Sequence, residues 1–297
     1  MSVIKDADFI WGAWRARHSE ASASPVGFAR RLALCLDLGV NWIDHADIYD
    51  QGAVEALHGE ALTHLDGPQR QRLRLITKCG IRFPSANQPD VRAYHYRSDA
   101  AWIRQQVEAS LTRLGVGQID LYLLHRPDYL MQVEETARAL EDLQADGKIS
   151  AFGASNFSPA QFERLDAAAS GALAAHQVEL SPLASEGLDN GIVDQALARD
   201  IPMLIWSPLA GGRLFDTGEA TDRLRAALCA AADRAGGDDV AATALAWLKR
   251  LPGRIIPILG TMNEARLRTQ VEQARRMTID TQDWYAILEA GRGERAP

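Results

Sequence analysis

Asp44, Tyr49, Lys78 and His125 supply a carboxylate, a phenol, an amine and an imidazole, the groups from which an acid–base assembly is built. Each stands where a short apolar run ends. Residues 40–44 end in Asp44 and feed Tyr49, residues 73–78 end in Lys78, and residues 119–125 end in His125. Ser155 and Asn156 follow the next such run, Gln177 closes another, and Trp206 closes the one after it. Each residue has a plainer reading on its own: Tyr49 as a loop aromatic, Lys78 as a strand-end amine reaching for water, Asp44 as a turn cap, His125 as a satisfied strand terminus. An isolated buried Asp, Lys or His is costly unless it is paired. Drawn from consecutive strand ends, the four can partner one another, and they fit one acid–base assembly.

The elements that must position them alternate regularly. Residues 9–14 read as a first strand and its exit, and Ser24-Pro25 opens a helix that Gly39 stops. Strands follow at 40–44, 73–78, 119–125, 150–154, 174–177, 201–206 and 255–259. Helices lie between them at 54–65, from a cap at Ser98 to Gly115, and at 133–146, 159–169, 192–199, 221–235 and 240–249. A last barrel helix covers 263–274 and an added C-terminal helix 281–290. Pro257 cannot donate to a ladder and is expected near a strand end or bulge. Strands separated by helices imply parallel pairing, and eight of them closing gives a (β/α)8 TIM barrel, read here as one domain over 1–297. The rival open, doubly wound sheet binds dinucleotides through Gly-x-Gly-x-x-Gly after its first strand. No such run exists; Gly211-Gly212 and Gly236-Gly237 do not fit it.

Composition narrows the function. The chain has 297 residues, is 47% hydrophobic and 24% charged, and carries a net charge of -7. Its arginines are scattered among acids, which disfavours nucleic-acid binding. Three cysteines without a Cys-x-x-Cys pair argue against a disulfide framework or a cysteine zinc site. The histidines lack paired ligand spacing, so no metal is expected. A polar start and the lack of a long apolar run lead to the expectation of a cytoplasmic protein without a membrane partner.

At these residues the sequence resembles the aldo-keto reductases over nearly its whole length. Asp44-His45-Ala46-Asp47-Ile48-Tyr49 resembles that family's Asp-x-Ala-x-x-Tyr stretch, and Ile76-Thr77-Lys78 its strand-three lysine. His125-Arg126-Pro127 resembles His-x-Pro, and Gly153-Ala154-Ser155-Asn156-Phe157 resembles Gly-x-Ser-Asn-Phe. Gln177-Val178-Glu179 resembles Asn-Gln-Val-Glu, with His176 in place of the Asn. Residues 206–215 have the flavour of a bacterial branch of predicted oxidoreductases. The resemblance implies a catalytic tetrad of Tyr49, Lys78, Asp44 and His125 that reduces an aldehyde or ketone to its alcohol by direct hydride transfer. Tyr49 would be the general acid, Lys78 would lower its pKa, Asp44 would hold Lys78, and His125 would orient the carbonyl.

The cofactor follows by the same route. Ser155, Asn156 and Gln177 would hold the nicotinamide carboxamide, and Trp206 would stack on the ring where a Tyr is usual. The stretch containing Ser207, Leu209 and Gly211 would wrap the pyrophosphate. Thr261 and Arg266 would contact the 2′-phosphate and Gln270 the adenine, which favours NADPH, although Gly260 replaces a common lysine. Trp14 either lines the substrate pocket with Tyr49 and His125 or packs a loop. The long segment 82–97 could be a substrate wall, a lid or a surface loop. The substrate would be a small-molecule carbonyl or alcohol, and the protein a monomer or weak homo-oligomer. Two other classes stand behind this reading. One is a cofactor-sensing regulatory subunit resembling the potassium-channel β subunits; the other is a metal-dependent barrel lyase or hydrolase.

Overall fold

Short runs of Ile, Leu, Val and Trp that are buried on both faces become strands, and the amphipathic stretches between them become helices. The computed structural model describes residues 4–295. In chain order the elements begin with β1 (Ile10–Gly12), α1 (Pro25–Asp37), β2 (Trp42–Asp44), α2 (Ala53–Leu62), α3 (Gly67–Arg72) and β3 (Arg74–Cys79). Next come β4 (Ile81–Arg82), β5 (His95–Tyr96), α4 (Ala100–Leu114), β6 (Leu121–Leu124), α5 (Val133–Ala145), β7 (Phe152–Ser155), α6 (Pro159–Ala168) and β8 (Leu173–Glu179). The chain ends with α7 (Ile192–Arg199), β9 (Met203–Trp206), α8 (Glu219–Arg234), α9 (Val240–Lys249), β10 (Ile255–Leu259), α10 (Glu264–Arg276) and α11 (Thr281–Arg292). Eight of the strands form a closed parallel barrel in the order β1-β10-β9-β8-β7-β6-β3-β2, and β4 and β5 form a separate hairpin. This is the (β/α)8 barrel expected from the alternation.

The chain divides into two compact units at His176/Gln177. In the first, β1 pairs with β2, β2 with β3, β3 with β6 and β6 with β7, all parallel. Ser24 caps α1 by accepting from the Gly27 N–H, with Pro25 in the first turn, and Gly39 supplies the left-handed stop at φ 71°. Three details differ from the sequence reading. The cap of α4 is Asp99, whose carboxylate accepts from Trp102 N–H; Ser98 is buried and donates instead to Asp128. The helix expected to run to residue 65 stops at Leu62, and a short α3 follows, opened by an Asp66–Gln69 capping box with Pro68 inside it. The segment 82–97 is not a bare loop. Ile81 pairs with Tyr96 and Arg82 with His95 across an antiparallel hairpin.

In the second unit β9 pairs with β10 in parallel, Met203 opposite Ile255 and Ile205 opposite Pro257. Pro257 therefore lies in the middle of a strand, not at its end or at a bulge. The Arg254 carbonyl accepts from Met203 N–H, so residues 254, 256 and 258 face β9 and the Pro257 nitrogen points away from it. The missing donor costs no bond of the β9 ladder. The expected C-terminal helix, α11, packs on α8. Trp247 and Trp284 stack with centroids 5.1 Å apart, and each indole N–H donates to the other's carbonyl. Asp283 pairs with Arg234.

Candidate active site

The carboxyl ends of β2, β3 and β6 deliver the first unit's polar cluster. Lys78 is completely buried, and its Nζ donates to Asp44 at 2.8 Å, to the His45 carbonyl at 2.5 Å and to Tyr49 Oη at 3.1 Å. An ammonium has three N–H donors, and all three find acceptors here. The Tyr49 hydroxyl lies 3.4 Å from Asp44 Oδ2, to which it can donate. His125 is half-buried; its ring meets that of Tyr49 edge-on with centroids 6.2 Å apart. Trp14 is 55% exposed with its ring 6.4 Å from that of Tyr49. Trp14 therefore lies beside the phenol rather than packing a remote loop. Asn156 takes a left-handed backbone at φ 61°, and its amide donates to the His125 carbonyl at 3.1 Å and to Ser155 Oγ at 2.8 Å. Those bonds tie the exit of β7 to the exit of β6.

Burial sets the protonation of these groups. It pushes the Tyr49 phenol well above its ordinary 10, and the neighbouring Asp44 and Asp47 carboxylates push the same way. The expectation was a Tyr49 pKa lowered by Lys78; the shift runs upward instead, with burial first and Asp44 next among its causes. Burial lowers the Lys78 pKa while Asp44 resists. His125 is held well below 6.5 by burial and by the charges of Lys78 and Arg126, so its imidazole is neutral.

A buried polar layer supports the cluster, and the sequence reading did not find it. Glu55, fully buried on α2, accepts from Thr77 at 2.5 Å, Ser110 at 3.3 Å and Arg113 at 2.7 Å, and so fastens α2 to β3 and α4. His45 and His58 meet ring to ring with nitrogens 3.0 Å apart. In sequence, Glu55 and Arg113 look like ordinary solvated helix charges; only the Thr77 beside Lys78 hints at a buried partner.

The second unit carries the other sequence-derived residues. Gln177 is buried in β8, and Trp206 is half-buried at the end of β9. Directly after it Ser207, Ala210, Gly211 and Gly212 all have left-handed backbones, at φ 49°, 51°, 70° and 107°. A Cβ added at Gly212 would meet nothing within 4 Å, and Ala210 N–H donates to the Ser207 carbonyl. Leu209 sits within this turn, its carbonyl accepting from Gly212 N–H. After β10, Thr261 Oγ1 accepts from Asn263 N–H, and Asn263 caps α10 by accepting from Arg266 N–H. The Arg266 side chain is exposed and makes no ion pair among the described residues, whereas Gln270, one turn on, is buried.

The barrel and this cluster suit acid–base chemistry at one set of strand ends, and comparison with known proteins supplies the class and the family. Residues 8–292 match the aldo/keto reductase family. A 6-dehydroglucose reductase of Agrobacterium fabrum is 38% identical over 96% of this chain and 94% of its own length. An oxidoreductase of Escherichia coli, YdhF, is 38% identical over 97% and 95%. Among solved structures, a glycerol dehydrogenase of Gluconobacter oxydans superposes with a TM-score of 0.82 at 26% identity, covering 98% of this chain and 93% of that one. The chain belongs to the aldo/keto reductase family and is an NAD(P)H-dependent oxidoreductase. Among the described residues no helix is long and apolar enough to cross a membrane. None of their His, Cys, Asp and Glu side chains group in threes as a metal site would need.

Proposed function

We propose that the protein reduces a small aldehyde or ketone to its alcohol with NADPH, using Tyr49 as general acid. The observation that carries this reading is the Lys78 ammonium, buried and bonded at once to Asp44 and to the Tyr49 hydroxyl. When bound, NADPH would supply the hydride that the carbonyl carbon takes up. Tyr49 gives its Oη proton to the carbonyl oxygen as charge develops there. Its raised pKa keeps the phenol protonated at neutral pH, so the donor is always loaded. Lys78 stabilises the phenolate left behind, and Asp44 fixes Lys78 in place. His125, neutral, donates a hydrogen bond that orients the carbonyl oxygen, with Trp14 beside it as a wall. In the oxidative direction Tyr49 is the base.

Ser155, Asn156 and Gln177 are assigned to the nicotinamide carboxamide, and Trp206 to the ring face. The backbone of Ser207, Leu209 and Gly211 is assigned to the pyrophosphate, as in other barrels that bind phosphate after strands seven and eight. Thr261 and Arg266 take the 2′-phosphate; the exposed guanidinium of Arg266, without an ion pair among the described residues, suits a bidentate phosphate contact. Gln270 takes the adenine. The substrate class follows the relative's name, and sugar aldehydes such as 6-dehydroglucose head the panel to test. The reading also includes a cytoplasmic protein, monomeric or weakly self-associating, without nucleic-acid or membrane partners, folded as one domain over 1–297.

A panel of carbonyl compounds followed by loss of NADPH absorbance tests the reaction. Arg266→Ala tests the cofactor: KM for NADPH is expected to rise about tenfold or more while KM for NADH stays put, as loss of a charge-assisted phosphate bond requires. Equal use of both cofactors by the unaltered protein would contradict the assignment.

A further inference from the structure

Glu55 and His58, two polar side chains of α2, are completely buried. Three residues apart on a helix, they share one face, and each grips a residue beside the Asp44–Lys78 pair. The Glu55 carboxylate accepts from Thr77, the residue before Lys78. His58 Nδ1 lies 3.0 Å from Nε2 of His45, the residue after Asp44. The His45 carbonyl is in turn one of the acceptors of the Lys78 ammonium, at 2.5 Å. Side chains alternate along a strand, so Lys78 reaches Asp44 and Tyr49 while Thr77 turns the other way, to α2. One turn of α2 thus fastens both strands whose ends carry the pair.

These contacts do more than pack a helix on a sheet. An apolar residue could fill either buried position without the cost of desolvating a carboxylate or an imidazole. Glu55 offsets that cost with further bonds from Ser110 and Arg113 of α4. Between His45 and His58 a single ring proton can lie on the line of the nitrogens, so one ring donates and the other accepts. Burial keeps both imidazoles neutral, which preserves that bond at neutral pH. The titratable groups around Lys78 are the carboxylates of Asp44, Asp47 and Glu55, the Tyr49 phenol, and the imidazoles of His45 and His125. Arg113 faces Glu55 and Asp47. Burial disfavours the Lys78 ammonium, and the three carboxylates oppose burial.

We propose that Glu55 and His58 are positioning residues for carbonyl reduction. Through Thr77 and His45 they fix the Lys78 ammonium between Asp44 and the Tyr49 hydroxyl, and the Glu55 charge helps to hold it there as a cation. Only their effect on turnover rests on the reductase reading; the state of Lys78 can be read without substrate or cofactor.

The chain has four lysines, Lys5, Lys78, Lys148 and Lys249. Protein grown on carbon-labelled lysine therefore gives four Cε resonances, and Lys5→Arg, Lys148→Arg and Lys249→Arg assign three of them, leaving that of Lys78. In cofactor-free protein the midpoint of its titration is expected about one pH unit lower in Glu55→Gln and in His58→Leu than in the parent, as loss of a charge partner or of a fixed carbonyl acceptor requires. His58→Asn, which can still bond to His45, is expected to restore the parent midpoint. With a carbonyl substrate, kcat of Glu55→Gln is expected to fall about tenfold at unchanged KM for NADPH, its alkaline limb moving to lower pH. Should Glu55→Gln fail to fold, the two His58 variants carry the test. Folded variants that keep the parent midpoint would overturn the proposal, since Glu55 and His58 would then only brace α2. A parent protein that turns over no carbonyl would sink the reductase reading, while the Lys78 midpoints would still decide what Glu55 and His58 hold in place.

Discussion

Lys78 holds the cluster together because its ammonium is shared by the carboxylate and the phenol. Lys78→Met would leave Asp44 buried without its counter-charge. Urea melts are expected to show a loss of about 3–5 kcal/mol, with turnover falling alongside; a variant as stable as the parent would show that the pair is not buried in solution. Histidines give a second, pH-dependent signature. Burial lowers His176 from 6.5 to about 4 and His58 from 6.5 to about 3. Folded pKa values below unfolded ones mean that the unfolded chain binds more protons in that window. Stability is thus complete above pH 6.5 and is lost as pH falls toward 4, at up to about 1.4 kcal/mol per pH unit for each such group. His176→Asn should lose less stability between pH 7 and pH 5 than the parent; equal losses would show that His176 is not buried and neutral. Asp44, Tyr49, Lys78 and His125 were legible because ionisable residues at the ends of apolar runs are conspicuous. The direction of the Tyr49 shift was not, since it depends on how much solvent the fold removes.

Elements were legible wherever one periodicity dominated. Strands buried on both faces, such as residues 121–124, read as unbroken apolar runs, and Ser24-Pro25 and Gly115 announced helix ends through their chemistry. Strands of two residues, as in β4 and β5, carry no period at all, so the hairpin was read as loop. The shift of the α4 cap from Ser98 to Asp99 turns on a competition between two good caps, which Asp128 settles by engaging Ser98. Pro257 was misplaced because the sequence does not say toward which neighbour its nitrogen points. Packing between strands makes a sharper claim at Gly153, which leads into Ser155 and Asn156. A Cβ there would stand 2.4 Å from the Ala175 carbonyl oxygen of the adjoining β8 segment. Gly153→Ala should therefore destabilise by about 1–3 kcal/mol, as overpacking does, and lower the thermal midpoint. An unchanged midpoint would mean that the two strands are not in such close approach.

For the whole molecule, the closed eight-strand barrel and the family membership set the chemistry, and the substrate is left to loops that fold class does not fix. The one-domain reading makes thermal unfolding a single transition, which NADPH at a hundred times its Kd should stabilise by about 2.7 kcal/mol. Calorimetry resolving two independent transitions would contradict it. Carbonyl reduction here turns on one proton, that of the Tyr49 hydroxyl in the proposed reaction. Tyr49→Phe removes the hydroxyl that Lys78 touches and leaves the ring in place. Its turnover of a carbonyl substrate, measured alongside fluorescence titration of NADPH, is the most direct test. Unchanged NADPH affinity is expected, with kcat reduced by about 10²–10⁴-fold, the span of general acid catalysis; a Tyr49→Phe enzyme that binds NADPH normally and turns over at the parent rate would contradict a proton delivered by Tyr49.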